Sequence, residues 1–142
     1  MTIPDEKGFS LVELATVLVV LGLLLGFSIP SFQRISATYQ LQSSAEGVAA
    51  QLRLAREKAL ATGEEQPLHF PYTNAYHLHY PSGISTTWTL PRGVTFATST
   101  VGAWYHMKAD GRCAESGLII LRNARGARDT VSVQLSGLVL NQ

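Results

Sequence analysis

Glu13 is the residue whose setting most demands chemistry. It is the only charged side chain between Phe9 and Ile29, a run otherwise made of apolar, glycine and hydroxyl residues. A carboxylate inside so apolar a helix costs a few kcal/mol, so such an acid usually has a cationic partner and a task. His77 and His79 stand two apart. On a strand they share a face and could hold a metal. They read more simply as the polar outer face of a sheet, with Tyr76, Leu78 and Tyr80 on the buried side. His69 and His106 offer no third ligand close in sequence. Lys108, Arg112, Arg122, Arg125 and Arg128, with Trp104 and Tyr105 nearby, make the C-terminal region locally basic, a composition that can suit nucleic-acid contact. It is also the composition of a solvated sheet edge with basic turns. The sequence holds no phosphate loop, no nucleophile elbow and no pair of acids at helical spacing. No enzymatic activity, cofactor or metal is expected. Cys113 is the single cysteine, so no intrachain disulfide and no Cys-rich zinc site can form. It is expected as a free or buried thiol.

The elements that position these residues follow from pattern. Phe9–Ile29 as a helix, at about 1.5 Å per residue, is roughly 30 Å long, the thickness of a hydrocarbon core. It is a membrane-helix candidate. Pro30 removes a backbone hydrogen bond and should bend the helix without ending it. From Gln33 to Thr62 good helix formers dominate. Leu41, Ala45, Val48, Leu52, Ala55 and Ala59 step by four and three, a narrow stripe of mostly small residues suited to close packing. Gly63 reads as the stop. One kinked helix of about 54 residues, Phe9–Thr62, is therefore expected, longer than ordinary globular helices.

From Glu64 the texture changes to β-formers alternating with polar residues, broken by Gly and Pro. Candidate strands are Leu68–Phe70, Tyr76–Tyr80, Ser85–Leu90, Val94–Ala97, Ala103–Met107, Leu118–Leu121, Thr130–Leu135 and Leu138–Leu140. Turns fall at Pro81-Ser82-Gly83, Pro91-Arg92-Gly93, Asp110-Gly111, Arg125-Gly126 and Ser136-Gly137. This predicts an antiparallel, meander-like domain. So short a β-region closes little core alone, and the striped helix supplies the missing face. The fold class is α+β. Formal net charge is +1 with 46% hydrophobic residues. Loss of residues 1–8 would remove two acids and one lysine, leaving +2. That bias is too small to imply nucleic acid by itself.

Lys7-Gly8-Phe9-Ser10-Leu11-Val12-Glu13-Leu14 resembles the processing motif of type IV pilins and type II secretion pseudopilins. The resemblance implies cleavage after Gly8 by a membrane peptidase, N-methylation of Phe9, and an assembly acid at Glu13. Gly22 and Pro30 match the glycine and helix-kinking proline of that family's apolar segment. The glycine precedes the apolar run, so the helix outlives its leader, unlike the core of a secretory signal. The mature amine would stand four residues before Glu13, and Glu13 of one subunit could pair with the amine of a neighbour. In a dry setting that attraction far exceeds its value in water.

The later half is similar to minor pilins of the GspH/FimT-like type. The likeness rests on the stretch Arg53–Leu60 ahead of Gly63, Leu90-Pro91-Arg92-Gly93-Val94, Asp110-Gly111, Gly117–Leu121, Val131-Ser132-Val133 and Ser136-Gly137. The resemblance implies four segments: a leader (1–8), a transmembrane or filament-core helix (9–29), its amphipathic continuation (30–63) and an antiparallel β-domain (64–142). It implies a single-pass inner-membrane protein with its C-terminal domain in the periplasm. The partners would be other pilin or pseudopilin subunits, the prepilin peptidase and the assembly platform. The expected role is that of a GspH-like minor pseudopilin supporting protein export. The alternative is a FimT-like minor pilin of a type IV pilus, with DNA contact as a further option. Some DNA-binding members carry Gly-Arg-x-Arg near the C-terminus. Here the stretch reads Gly137-Leu138-Val139-Leu140, so nucleic acid is not the expected partner.

Overall fold

In a computed structural model of the chain, the described residues are 10–79, 83 and 85–142; the side chains of 27–32 and of 85 fall outside the description. The leader, the Gly8–Phe9 bond and the strand end at Tyr80 therefore lie outside the described residues, as does the turn at Pro81-Ser82. The chain divides into two compact units, Met1–Ser36 and Ala37–Gln142. Helix α1, Leu11–Thr62, contributes to both.

In the first unit the backbone amides of Glu13 and Leu14 both donate to Ser10 O, at 3.0 and 3.1 Å, opening the helix. Gly22 and Pro30 both lie within helical backbone. The side chain of Pro30, and the kink expected there, fall outside the description.

In the second unit α1 presents the stripe that the spacing predicts. Leu41, Ala45, Val48, Leu52, Ala55 and Ala59 are all buried, joined by Ala49. Gly63 ends the helix with φ +70°, and its amide donates to Ala59 O at 2.9 Å. A left-handed residue after the last turn satisfies a terminal carbonyl, and glycine adopts it without a Cβ penalty.

Eight strands follow: β1 Gln66–His69, β2 Ala75–His79, β3 Ser85–Thr89, β4 Val94–Phe96, β5 Trp104–Met107, β6 Gly117–Asn123, β7 Arg128–Val133 and β8 Val139–Asn141. Each overlaps one predicted strand. They form two antiparallel four-stranded sheets rather than a single meander, in the orders β3-β2-β1-β5 and β4-β6-β7-β8. Each sheet contains a three-strand meander, and β4 and β5 exchange places. β4 pairs with β6 through Phe96↔Leu121, and β5 returns to β1 through His69↔Trp104.

Period-2 alternation turns one face of each sheet inward. Leu68, Tyr76, Leu78, Tyr105 and Met107 come from the first sheet; Phe96, Ile119, Leu121, Val131 and Val133 come from the second. These side chains and the helix stripe form one core cluster. Phe70 sits at its centre, edge-on to Phe96 at 5.2 Å and to Tyr105 at 5.8 Å, and stacked on Tyr76 at 5.5 Å. Burial of its hydroxyl raises the Tyr76 pKa to about 12.

Candidate functional site

From Ser10 to Gly26 every residue of α1 is exposed. Leu18 is 62% exposed, Val19 64%, Val20 50% and Leu21 47%; four consecutive residues go round the helix, so exposed apolar side chains lie on every side of this segment. A surface helix shows one apolar stripe; a helix apolar all round belongs in lipid or in a protein core. Thr16 hides its hydroxyl by donating to Val12 O at 2.8 Å. Glu13 is exposed and, among the described residues, forms no ion pair. Among the described residues no helix is long and apolar enough to cross a membrane. The expected span 9–29 is only partly described, because Phe9 and the side chains of 27–29 fall outside it.

The magnitudes decide what Glu13 can do. Full burial of a Val or Leu is worth about 1.5–3 kcal/mol. An acid at the centre of a membrane helix costs about 2.5–3.5 kcal/mol on insertion scales. Two or three of the exposed leucines therefore offset it. Glu13 does not prevent burial of the segment, but it does favour places where a cation meets it.

In the second unit two arginines of α1 tie the helix to the last strand and to a turn. Arg53 Nη2 donates to Val139 O at 3.0 Å, and Arg56 Nε donates to Gly111 O at 2.8 Å. These side chains lie off the apolar stripe, and their carbonyl acceptors are far away in sequence. Periodicity gives no sign of the bonds.

The five predicted cations do not form one patch. Arg122 lies directly across from Arg128, with Arg125 in the turn between their strands. Arg92 joins this end, because Ala124 N donates to the carbonyl oxygen of the adjacent Gly93 at 2.9 Å. Lys108 and Arg112 line a different hollow with Asp110, Cys113 and Leu135. There Asp110 caps the Arg112 amide at 3.0 Å and its carboxylate approaches Arg112 Nε at 3.9 Å. Cys113 is buried, and burial pushes its thiol pKa up.

The outer face of the first sheet carries all four histidines. His69 lies opposite His77 in register, and Trp104 lies opposite His69. The His69 ring stacks on Trp104 at 3.9 Å. His106 stacks on Trp104 at 5.6 Å, and its Nδ1 meets Glu115 Oε1 at 2.8 Å. Burial, then the neighbouring His79 and His77, lower the His69 pKa, which favours its neutral form. Sequence reading paired His77 with His79 but set Trp104 beside the basic residues and gave Glu115 no role; Trp104 meets the histidines only through strand register.

Residues 3–29 match the prokaryotic N-terminal methylation motif. Two fimbrial proteins of Pseudomonas aeruginosa are each 37% identical over 60 residues, 42% of this chain. The chain spans 38% of the length of these curated relatives. Among solved structures, the type IV minor pilin FimU of Pseudomonas aeruginosa aligns with a TM-score of 0.62, covering 76% of this chain and 92% of that one at 17% identity. The minor pseudopilin EpsH, from the type 2 secretion system of Vibrio cholerae, aligns with a TM-score of 0.59, covering 72% of this chain and 96% of that one at 13% identity. The chain carries a prepilin motif on a pilin-like fold.

For a pilin-like chain the two textures of α1 fit one plan. Residues 10–26, inside the stretch that matches the methylation motif, are the ones exposed with apolar side chains on every side. The segment after Ala37 buries a narrow stripe against its own sheets.

Proposed function

We propose that this chain is a minor pseudopilin of the GspH-like type, a subunit of a short secretion filament that supports protein export. It is cut between Gly8 and Phe9 by the prepilin peptidase and methylated on Phe9. It is held in the inner membrane by Phe9–Ile29, with the β-domain on the periplasmic side. It enters the filament by helix packing, with Glu13 neutralised by the terminal amine of a neighbouring subunit. The observation that carries this reading is the run Ser10–Gly26, helical and exposed on all sides with one acid in it. Nothing apolar of that extent stays in water, and a lone carboxylate in a dry bundle selects a cation.

The fimbrial relatives and FimU favour a second reading, a minor pilin of a type IV pilus of the FimT-like type. Processing and assembly would be the same in both. DNA contact belongs to that second reading and would use Arg92, Arg122, Arg125 and Arg128, not the five cations predicted from sequence.

The test is incorporation of Glu13→Val. The expected result is a variant that is processed and membrane-bound, yet strongly depleted from sheared filaments. Incorporation equal to wild type would refute the amine-pairing mechanism. A native chain whose mass still includes Met1–Gly8 would refute the processing.

A further inference from the structure

We propose that His69, His77 and His79 form a three-nitrogen site for a divalent transition-metal ion of the zinc class. The inference concerns the outer face of the first sheet and does not depend on the filament reading.

The backbone brings the three together. A His-x-His pair on β2 places two rings on one face, since side chains alternate along a strand. The register His69↔His77 adds a third ring from β1 on that face. Ring centres are 6.5 Å apart for His69–His77, 6.1 Å for His69–His79 and 6.0 Å for His77–His79. Three imidazoles without a carboxylate suit zinc, copper or nickel rather than calcium or magnesium. A three-histidine zinc site keeps a fourth position open.

Two further observations point to a ligand. His79 Nε2 is buried, and among the described residues no hydrogen-bond partner reaches it. An unpartnered buried polar atom is costly, and a metal would satisfy it. His77 Nδ1 already meets Thr87 Oγ1 at 2.8 Å, the kind of outer contact that fixes a ring and leaves its other nitrogen to a metal. Trp104 backs the cluster, stacked on His69 at 3.9 Å and 5.1 Å from His79.

The rings do not already close on one point: among the described residues no three His, Cys, Asp or Glu side chains are set to hold a metal. With zinc–nitrogen distances of about 2.0–2.1 Å, ring centres around one ion stand about 5 Å apart, so closure needs about 1 Å of ring movement. Rotation about the side-chain bonds of three half-buried histidines supplies that without moving the strands. His106 stands apart, held by Glu115.

The experiment uses the full chain without a tag, in detergent, titrated with Co²⁺ and then Zn²⁺ alone. The expected result is one ion per chain, with the intense visible absorption of four-coordinate cobalt, displaced by zinc. His69→Ala, His77→Ala and His79→Ala should each weaken binding at least tenfold, while His106→Gln binds as wild type. Circular dichroism in chelator confirms that each variant is folded, and zinc should raise the melting temperature of wild type but not of the three variants. No visible cobalt band, or equal weakening in His106→Gln, would overturn the proposal.

Discussion

Gly137→Ala tests how the β-domain is fastened to its helix. Gly137 has φ +78°, and a Cβ built there would overlap the carbonyl oxygen of Gly111 and lie 2.8 Å from Arg56 Nε. Those two atoms are the acceptor and donor of the bond from Arg56 to Gly111. The left-handed backbone costs a non-glycine residue about 1–2 kcal/mol. Losing a hydrogen bond from a charged donor costs about 1.5–3 kcal/mol. The expected destabilisation is therefore about 2.5–5 kcal/mol. Gly126→Ala is the control, because Gly126 has φ +84° with open space around it. It should lose only the conformational part, about 1–2 kcal/mol. The assay is denaturant unfolding of residues 37–142, which contain every buried core residue described, followed by the fluorescence of Trp88 and Trp104. Arg56→Ala and the double variant complete a cycle. If Gly137→Ala acts by displacing Arg56, the two losses will not add. Equal destabilisation by Gly137→Ala and Gly126→Ala would refute the reasoning, and so would strict additivity with Arg56→Ala.

Phe70→Ala removes the ring at the centre of the aromatic cluster, fully buried beside Phe96, Tyr105 and Tyr76. The expected loss is about 3–5 kcal/mol in the same unfolding assay, and a loss under 1 kcal/mol would contradict the packing. Tyr76 gives a pH dependence. Its folded pKa is about 12, above the ordinary 10.0, so its contribution to stability is complete below pH 10 and is lost as pH rises towards 12. Absorbance titration should show Tyr76 and Tyr105, both buried with raised pKa, ionising only with unfolding, and Tyr76→Phe should remove the Tyr76 part of the alkaline loss.

Local patterns were legible where a single element decides burial. The stripe Leu41–Ala59 follows from helical spacing alone, and all six residues named from it are buried. Each predicted strand has a counterpart, because β-formers between Gly and Pro breaks mark strands one at a time. Pairing was not legible. β4 joins β6 across a gap that holds β5, and β5 joins β1, so one expected meander became two sheets. The same limit governs the sites. His77 and His79 were visible as a pair, but His69 joins them only through the β1–β2 register. The basic residues looked like one region in sequence. The strands carry Arg122 and Arg128 into one row, and leave Lys108 and Arg112 in a separate hollow beside Asp110 and Leu135. The bonds of Arg53 and Arg56 were not legible, because their acceptors are backbone carbonyls that composition does not reveal.

Two kinds of apolar surface lie on one helix, and the proposed filament or membrane setting would cover only one of them. In the second unit mostly small residues, Ala45, Ala49, Ala55 and Ala59, let the sheets approach α1 closely, and one stripe suffices because the sheets supply the rest of the core. That unit buries a core of its own, while Leu118, Leu135 and Leu138 stay exposed on its surface. The segment Ser10–Gly26 has large side chains on every side, such as the consecutive Leu18, Val19, Val20 and Leu21, all exposed. Burial of several such residues outweighs the cost of one carboxylate. The hydrophobic effect is non-directional and sets no axial position for a smooth apolar rod. A charge needing one counter-charge does set a position, and that is the role the proposed function gives Glu13: register for a segment whose burial would be driven by everything around it.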